Sequence, residues 1–234
     1  MIILALDTSA VAASVAVLRD ETPLFSCVIE NGNTHSETLL PAVESALKVL
    51  GLTVKDIDLF ALSAGPGSFT GVRIAAATIK GLAFGSGKPC VGVSTLEALA
   101  YQLRPLPGLY CPVMNARRSQ VYTALFSFEK SVWKRLWEDQ AISTGELKQK
   151  LSGFEEPVYF TGDGYGIAAK DILLPTIQET PAGLRTQNGV SVGQVALMRY
   201  RAGDYTDDAT LKATYLRPCQ AERERLARES AGKS

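Results

Sequence analysis

Apolar positions along this chain follow two rhythms, and the changes from one to the other mark its elements. Residues 2–6 form an unbroken apolar run, the pattern of a strand buried on both faces. Residues 12–18 and 24–29 follow as strands around the turn-rich stretch 19–23, so three strands in series predict an antiparallel meander. From 33 to 50 the spacing turns helical, with Leu39 or Leu40, Val43, Leu47 and Leu50 on one stripe. Thr34 and Glu37 supply a T-x-x-E capping box and Gly51 a C-terminal stop, while Pro41 is expected to kink this helix or delay its regular start. A strand at 57–63, a helix at 69–84, a strand at 90–93 and a helix at 94–103 complete the first half. Ser94 caps the last helix, with Glu97 three residues on.

Residues 104–108, Arg-Pro-Leu-Pro-Gly, cannot continue a helix and read as a boundary. The alternation then restarts: strands at 109–114, 120–128 and 132–142, a helix at 145–151, a strand at 158–161, and helices at 165–173 and 190–201. Both halves open with three strands followed by a helix. This predicts two related α/β domains, 1–104 and 105–205, with 206–234 as a C-terminal tail free to pack back on the first. No residue-level repeat accompanies the duplication, which is one of architecture. After Pro218 the tail is rich in Glu and Arg; Glu224 and Arg228 stand four apart, as on a solvated helix or a frayed end.

Composition narrows the classes. With 46% hydrophobic and 21% charged residues over 234 positions, disordered, collagen-like and coiled-coil readings are excluded. A chain of this length buries about 70% of its unfolded surface and needs neither disulfide nor metal to fold. Lys plus Arg number 24 and Asp plus Glu 24, so a strong non-specific grip on nucleic acid is not expected beyond a local basic patch. Cys27, Cys90, Cys111 and Cys219 form no C-x-x-C pair, which argues for free thiols in a reducing compartment. Met1 runs straight into an apolar strand with no basic stretch before it, and no apolar run approaches the roughly 20 residues that span a bilayer, so a cytoplasmic protein is expected. The single histidine, His35, removes H-E-x-x-H peptidases and any multi-histidine metal site built by one chain.

Several motifs carry candidate chemistry. Asp7-Thr8-Ser9, directly after the first strand, can hold a metal–phosphate or orient a water, or can form a turn in which Asp7 and Ser9 bond their own backbone. Gly65-Pro-Gly-Ser-Phe-Thr-Gly71 lies between a strand and a helix. It suits an anion or a partner, or else a tight turn with an N-cap. Val72 and Arg73 follow where a Walker lysine would stand, so it is not a P-loop. The next helix carries small pairs, Gly71/Ala75 and Ala77/Gly81, that permit close approach of a sheet or of another chain. Asn115-Ala-Arg-Arg118 can bind phosphate or close a hairpin. Gly162-Asp163-Gly164 can approach a flat ring or mark a turn. His35 reads as a capping residue or a general base, but no G-x-S-x-G accompanies it.

Together, Asp7-Thr-Ser, His35-Ser-Glu-Thr-Leu-Leu-Pro41, Gly65-Pro-Gly-Ser-Phe-Thr-Gly-Val-Arg73, Gly92-Val-Ser-Thr-Leu-Glu-Ala98 and Ala116-Arg117 with Val121-Tyr122 closely resemble the bacterial TsaB (YeaZ) family. The resemblance covers nearly all of the first half and thins after Tyr122. It implies an actin-like, Hsp70/sugar-kinase-type ATPase fold of two related domains. It also implies a part in making N6-threonylcarbamoyladenosine at tRNA position 37. There a paralogue, TsaD, transfers the threonylcarbamoyl group, and TsaB-like chains serve it as a non-catalytic partner alongside the ATPase TsaE. TsaD holds its metal with two histidines on one helix. Here Leu39 stands four residues after His35, so no metal site and no catalytic residue is expected.

By the same resemblance the partner face comprises His35, Glu37, Leu39, Leu40, Val43, Thr70, Arg73, Ile74 and Ala77, used toward TsaD or toward a second copy. A vestigial nucleotide site maps to Asp7, Thr8, Ser9, Asn115, Gly162, Asp163 and Gly164. No cofactor is required by the chain itself, the complex leaves room for ATP or ADP, and tRNA is met only indirectly or weakly. Asn115 departs from the family, which usually has Asp before Ala-Arg, and lacks the charge to hold a metal. The alternative is an autonomous ATPase or small-molecule kinase that uses Asp7 as base or metal anchor. A peptidase is disfavoured by the missing second histidine and nucleophile motif.

Overall fold

The computed structural model describes residues 1–117 and 119–216. Arg118, Cys219 and the Glu224/Arg228 pair lie outside them. The first meander is β1 (Ile2–Asp7), β2 (Ala13–Arg19) and β3 (Thr22–Ile29); α1 (His35–Leu50), β4 (Leu59–Gly65), α2 (Phe69–Ala83), β5 (Cys90–Ser94) and α3 (Thr95–Tyr101) follow. β1 pairs antiparallel with β2 and parallel with β4, giving the sheet order β3-β2-β1-β4-β5. Parallel neighbours need a crossover, and α1 and α2 supply one each.

The second half repeats this plan with β6 (Leu109–Asn115), β7 (Gln120–Glu129), β8 (Val132–Ser143), α4 (Thr144–Leu151), β9 (Val158–Thr161), α5 (Tyr165–Asp171) and β10 (Ile177–Gln178). Its order is β8-β7-β6-β9-β10, the first order element for element, with β6–β7 antiparallel and β6–β9 parallel. This duplicated sheet is the actin-like, Hsp70/sugar-kinase-type architecture. β10 is two residues long, too short for any periodicity to announce.

β1 and β4 are buried on both faces because helices cover both. Leu39, Val43, Ala75 and Ile79 of α1 and α2 meet Leu4, Leu6, Phe60 and Leu62 on one face. On the other, Val192, Val195 and Ala196 meet Ile3, Ala5 and Ala61. These last helical residues belong to α6 (Gly189–Arg201), which lies inside the 105–205 segment yet packs on the first sheet. Small residues allow it: a Cβ on Gly189 would stand 3.0 Å from the Ala16 nitrogen, and one on Gly193 2.5 Å from Leu18 Cδ1. Thr206 then bridges Cys90, Leu211 enters the first core, and the Thr214 N–H reaches the Ala64 carbonyl at 2.6 Å. From residue 189 on, packing no longer follows chain order.

α1 is regular from His35, upstream of Pro41, so the proline does not delay its start. The Glu37 carboxylate accepts the Thr34 backbone N–H (3.0 Å) and hydroxyl (2.8 Å), which secures the first turn. At α3 the Ser94 hydroxyl caps the Glu97 N–H at 3.2 Å, but the Glu97 side chain turns outward from its own helix. It accepts from Arg199 of α6 at 2.7 Å and from Arg135 and the Trp133 indole of β8, both at 3.3 Å. Glu97 is 6% exposed, so one buried carboxylate ties the two halves together.

Removing its charge takes the shared buried partner from two partly buried guanidinium groups, leaving Arg135 with Asp139 and Arg199 with the exposed Asp204. Glu97→Gln is expected to cost about 2 kcal/mol of unfolding free energy through weakened charged hydrogen bonds, measured by urea denaturation. A loss below about 0.5 kcal/mol, the level of an exposed pair, would contradict this role.

Candidate functional site

A cleft of about 550 Å³ opens between the two halves. Its walls are Ser9–Val11 after β1, Pro66–Thr70 leading into α2, Met114–Arg117 with Tyr122 at the β6–β7 corner, Asp163 after β9, and 214–216. Apart from Tyr122 on β7 and the 214–216 segment, these walls lie at the carboxyl ends of the parallel strands β1, β4, β6 and β9, the place where open α/β sheets leave a crevice.

The cleft brings together Ser9, Asn115 and Asp163 of the expected nucleotide site, and Asp7, Thr8, Gly162 and Gly164 lie behind its wall. Asp7 is 1% exposed and its two oxygens accept three bonds: the Ser9 N–H (2.8 Å), the Ser9 hydroxyl (2.6 Å) and the Ser63 hydroxyl of β4 (2.5 Å). Burial raises its carboxyl above the ordinary range; the serine bonds and His35 only partly offset this. The Thr8 hydroxyl donates to the Gly71 carbonyl at 2.7 Å. The Asn115 side-chain oxygen accepts the Arg117 N–H at 2.8 Å, closing a turn in which Arg117 takes φ 61°. Asp163 opens on the cleft and accepts the Asn115 N–H at 3.0 Å; desolvation first, then backbone bonds in opposition and the Asp7 charge, leave its carboxyl raised.

The glycines serve chain contact. A Cβ on Gly162 (φ 100°) would strike the Val113 carbonyl, and one on Gly164 would sit 2.8 Å from the Val113 side chain. In the 65–71 loop, a Cβ on Gly67 would strike the Ser9 carbonyl and one on Gly71 the Thr8 carbonyl. The Ser68 N–H donates to Ser9 O at 2.6 Å, and the Ser68 hydroxyl caps the Gly71 N–H at 3.2 Å. Two of the donors that would greet an anion, the Ser68 and Gly71 N–H groups, are thus used on the chain itself. A magnesium–phosphate does not reach Asp7 in this arrangement, because its carboxylate is 1% exposed and turned to three internal donors. Among the described residues no group of three or more His, Cys, Asp or Glu is placed to hold a metal ion.

A second surface lies on α1 and α2. Leu39 and Val43 are each 1% exposed and belong to the core, which corrects their placing on a partner face. Their neighbour Leu40 is 54% exposed; Glu37, Thr70, Arg73 and Ala77 are exposed, and His35 and Ile74 are half-buried. His35 Nε2 donates to the Ala10 carbonyl at 2.8 Å and tethers the start of α1 to the loop after β1, a capping-type role. The small pairs divide: Gly71 and Ala75 face inward, while Ala77 and Gly81 face out, with none of the described residues within 4 Å of a Cβ added at Gly81.

Sequence reasoning missed Tyr215. Arg73 donates through Nε to its hydroxyl at 3.0 Å, and the guanidinium lies 3.9 Å from the Phe69 ring centre. Phe69 and Tyr215 stand 4.9 Å apart. The only signal was an aromatic residue in a segment without periodicity.

The raised Asp7 carboxyl has a consequence for stability. The folded chain holds that proton more tightly than the unfolded chain, so the contribution is full below the ordinary carboxylate range and is lost as pH rises through the raised value. Asp7→Asn removes the ionisation. Urea unfolding in steps from about pH 3 to about pH 7 should show the variant gaining on the wild-type chain as pH rises. Parallel curves would count against this account of Asp7.

Residues 30–169 match the family model described as TsaD: tRNA N6-adenosine threonylcarbamoyltransferase. The chain is 35% identical over 162 residues to the tRNA threonylcarbamoyladenosine biosynthesis protein TsaB of Bacillus subtilis (strain 168), covering 69% of this chain and 71% of that one. It is 36% identical over 163 residues to the protein of the same name from Escherichia coli (strain K12), covering 65% and 68%. Among solved structures it is similar to YeaZ from Pseudomonas aeruginosa, with TM-score 0.79 and 25% identity over 92% of this chain and 99% of that one. Identity at this level, sustained over most of both sequences and on a shared backbone, shows that the chain belongs to the TsaB family of tRNA threonylcarbamoyladenosine biosynthesis proteins, within the wider sequence family that the TsaD model describes.

Proposed function

We propose that this chain works in tRNA N6-threonylcarbamoyladenosine synthesis as a non-catalytic scaffold and activator that binds the threonylcarbamoyltransferase TsaD through the outward face of α1 and α2. The observation that carries the reading is the Ala77/Gly81 pair. Glycine within a helix costs about 1 kcal/mol relative to alanine. Gly81 has open space around it, so no contact among the described residues accounts for that cost. A flat strip bordered by Leu40, Thr70, Arg73 and Ile74 suits the close approach of another helix.

Two further features agree. The Asp7 and Thr8 oxygens are bound up internally, which favours a chain without nucleotide chemistry of its own. One histidine cannot rebuild the two-histidine metal site of the paralogue. In this reading ATP or ADP and TsaE act within the assembly, tRNA is met through it, and the isolated chain pairs with itself on the same face.

Ala77→Arg should abolish co-purification with TsaD while leaving the fold intact, because the side chain has solvent to occupy in the free chain. A retained complex with full tRNA modification would rule out this face. Gly81→Ala should act in opposite directions on two readouts. It raises unfolding free energy by about 1 kcal/mol through helix propensity and weakens the complex by thickening the strip. Unchanged affinity in the stabilised variant would remove Gly81 from the interface.

A further inference from the structure

Four chain segments converge on the first turn of α2, and the residues that make the convergence are those of the vestigial nucleotide motif. The Thr8 hydroxyl is bonded to the Gly71 carbonyl, and the Ser9 carbonyl receives the N–H of Ser68, the N-cap. Gly67 and Gly71 lack the room for a Cβ because the Ser9 and Thr8 carbonyls lie against them. Asp7 in turn holds Ser9 through its N–H and its hydroxyl and is itself held by Ser63 of β4. On the far side Thr214 bonds Ala64, beside Gly65, whose Cβ would strike the Thr214 carbonyl. Asp7, Thr8 and Ser9 are each 1% exposed or less, so none touches a partner directly.

We infer that Asp7-Thr8-Ser9 is a latch that sets the position of α2, and that Thr8 and Gly71 are positioning residues for partner docking. The inference rests on the reading of the α1–α2 face as the TsaD-binding surface. Thr70, Arg73, Ile74 and Ala77 lie within two turns of Gly71 on a stiff helix, so a shift of the first turn is carried to all four. These polar groups hold helix to strand.

The latch makes a prediction opposite in sign to helix propensity. Gly71→Ala places a better helix former in α2, but its Cβ meets the Thr8 carbonyl and forces the helix off β1. Thr8→Val keeps the shape of the side chain and removes only the hydroxyl; Thr8→Ser restores it.

The test is calorimetric titration of TsaD from the same organism with the full chain and its Thr8→Val, Thr8→Ser, Gly71→Ala and Ala77→Arg variants. Hydrogen exchange of each free variant is followed alongside. Thr8→Val should bind about tenfold more weakly, the effect of one net hydrogen bond, with faster exchange confined to residues 69–74. Thr8→Ser should bind as wild type, and Gly71→Ala should be weakened like Thr8→Val. If Thr8→Val fails to fold, Gly71→Ala against Thr8→Ser decides on the same readouts. Wild-type affinity for Thr8→Val and Gly71→Ala, with binding lost in Ala77→Arg, overturns the latch and leaves the docking face standing. Faster exchange spread evenly over the whole chain also overturns it, since plain destabilisation then explains the loss. Wild-type affinity for Ala77→Arg overturns the docking face, and the latch with it.

Discussion

The contact of two backbones governs this molecule: the chain leaving β1 and the glycine-rich loop that enters α2. Carbonyls of Thr8 and Ser9 lie where side chains at Gly71 and Gly67 would be, so only glycine is accommodated there. That closeness lets Thr8 bond Gly71 and Ser9 bond Ser68, and it makes the buried Asp7 carboxylate an internal acceptor. Loop, helix and strand end are therefore one rigid unit. The inward stripe of α2 completes the first core, and its outward strip is left exposed among the described residues.

A second constraint joins the halves. α3 emerges from β5 and packs on β6 and β7 of the other sheet through Leu96, Leu99 and Ala100. Glu97 on that helix draws Arg199 from one side and Arg135 from the other. A single carboxylate shared by two arginines from different layers is costly to desolvate and costly to break, which suits a joint that must hold one arrangement. The Ser94 hydroxyl adds a bond to Asp139 at 2.6 Å, and Asp139 is ion-paired with Arg135.

Much of this plan was legible in the amino-acid order because local rules and tertiary packing agree. The meander of 2–29, the Thr34/Glu37 start of α1, the Ser68 and Ser94 caps and the strand–helix alternation each have a short-range cause. What escaped has long-range causes. Helical spacing gives α6 an apolar face but not a destination, and Gly189 and Gly193 make sense only once Ala16 and Leu18 lie opposite. Leu39 and Leu40 are adjacent and equally apolar; only the packed sheet shows that the first faces in and the second out. The Thr34/Glu37 pattern holds at α1, whereas at α3 the same spacing conceals a glutamate recruited by arginines 38 and 102 residues away. At the cleft, Asp7 and Gly162-Asp163-Gly164 were legible as turn formers, and chain contact is the use the structure makes of them.

The central claim is that this family member acts by holding another protein in a productive form, with no turnover of its own. Reconstitution tests it most directly: threonylcarbamoyl transfer to tRNA by TsaD and TsaE, with threonylcarbamoyl-adenylate supplied, in the presence and absence of this chain. The account predicts modification that depends on the chain at stoichiometric amounts and persists when Asp7 is replaced by Asn. Full modification without the chain, or a requirement for Asp7 ionisation in a variant that still binds TsaD, would contradict it.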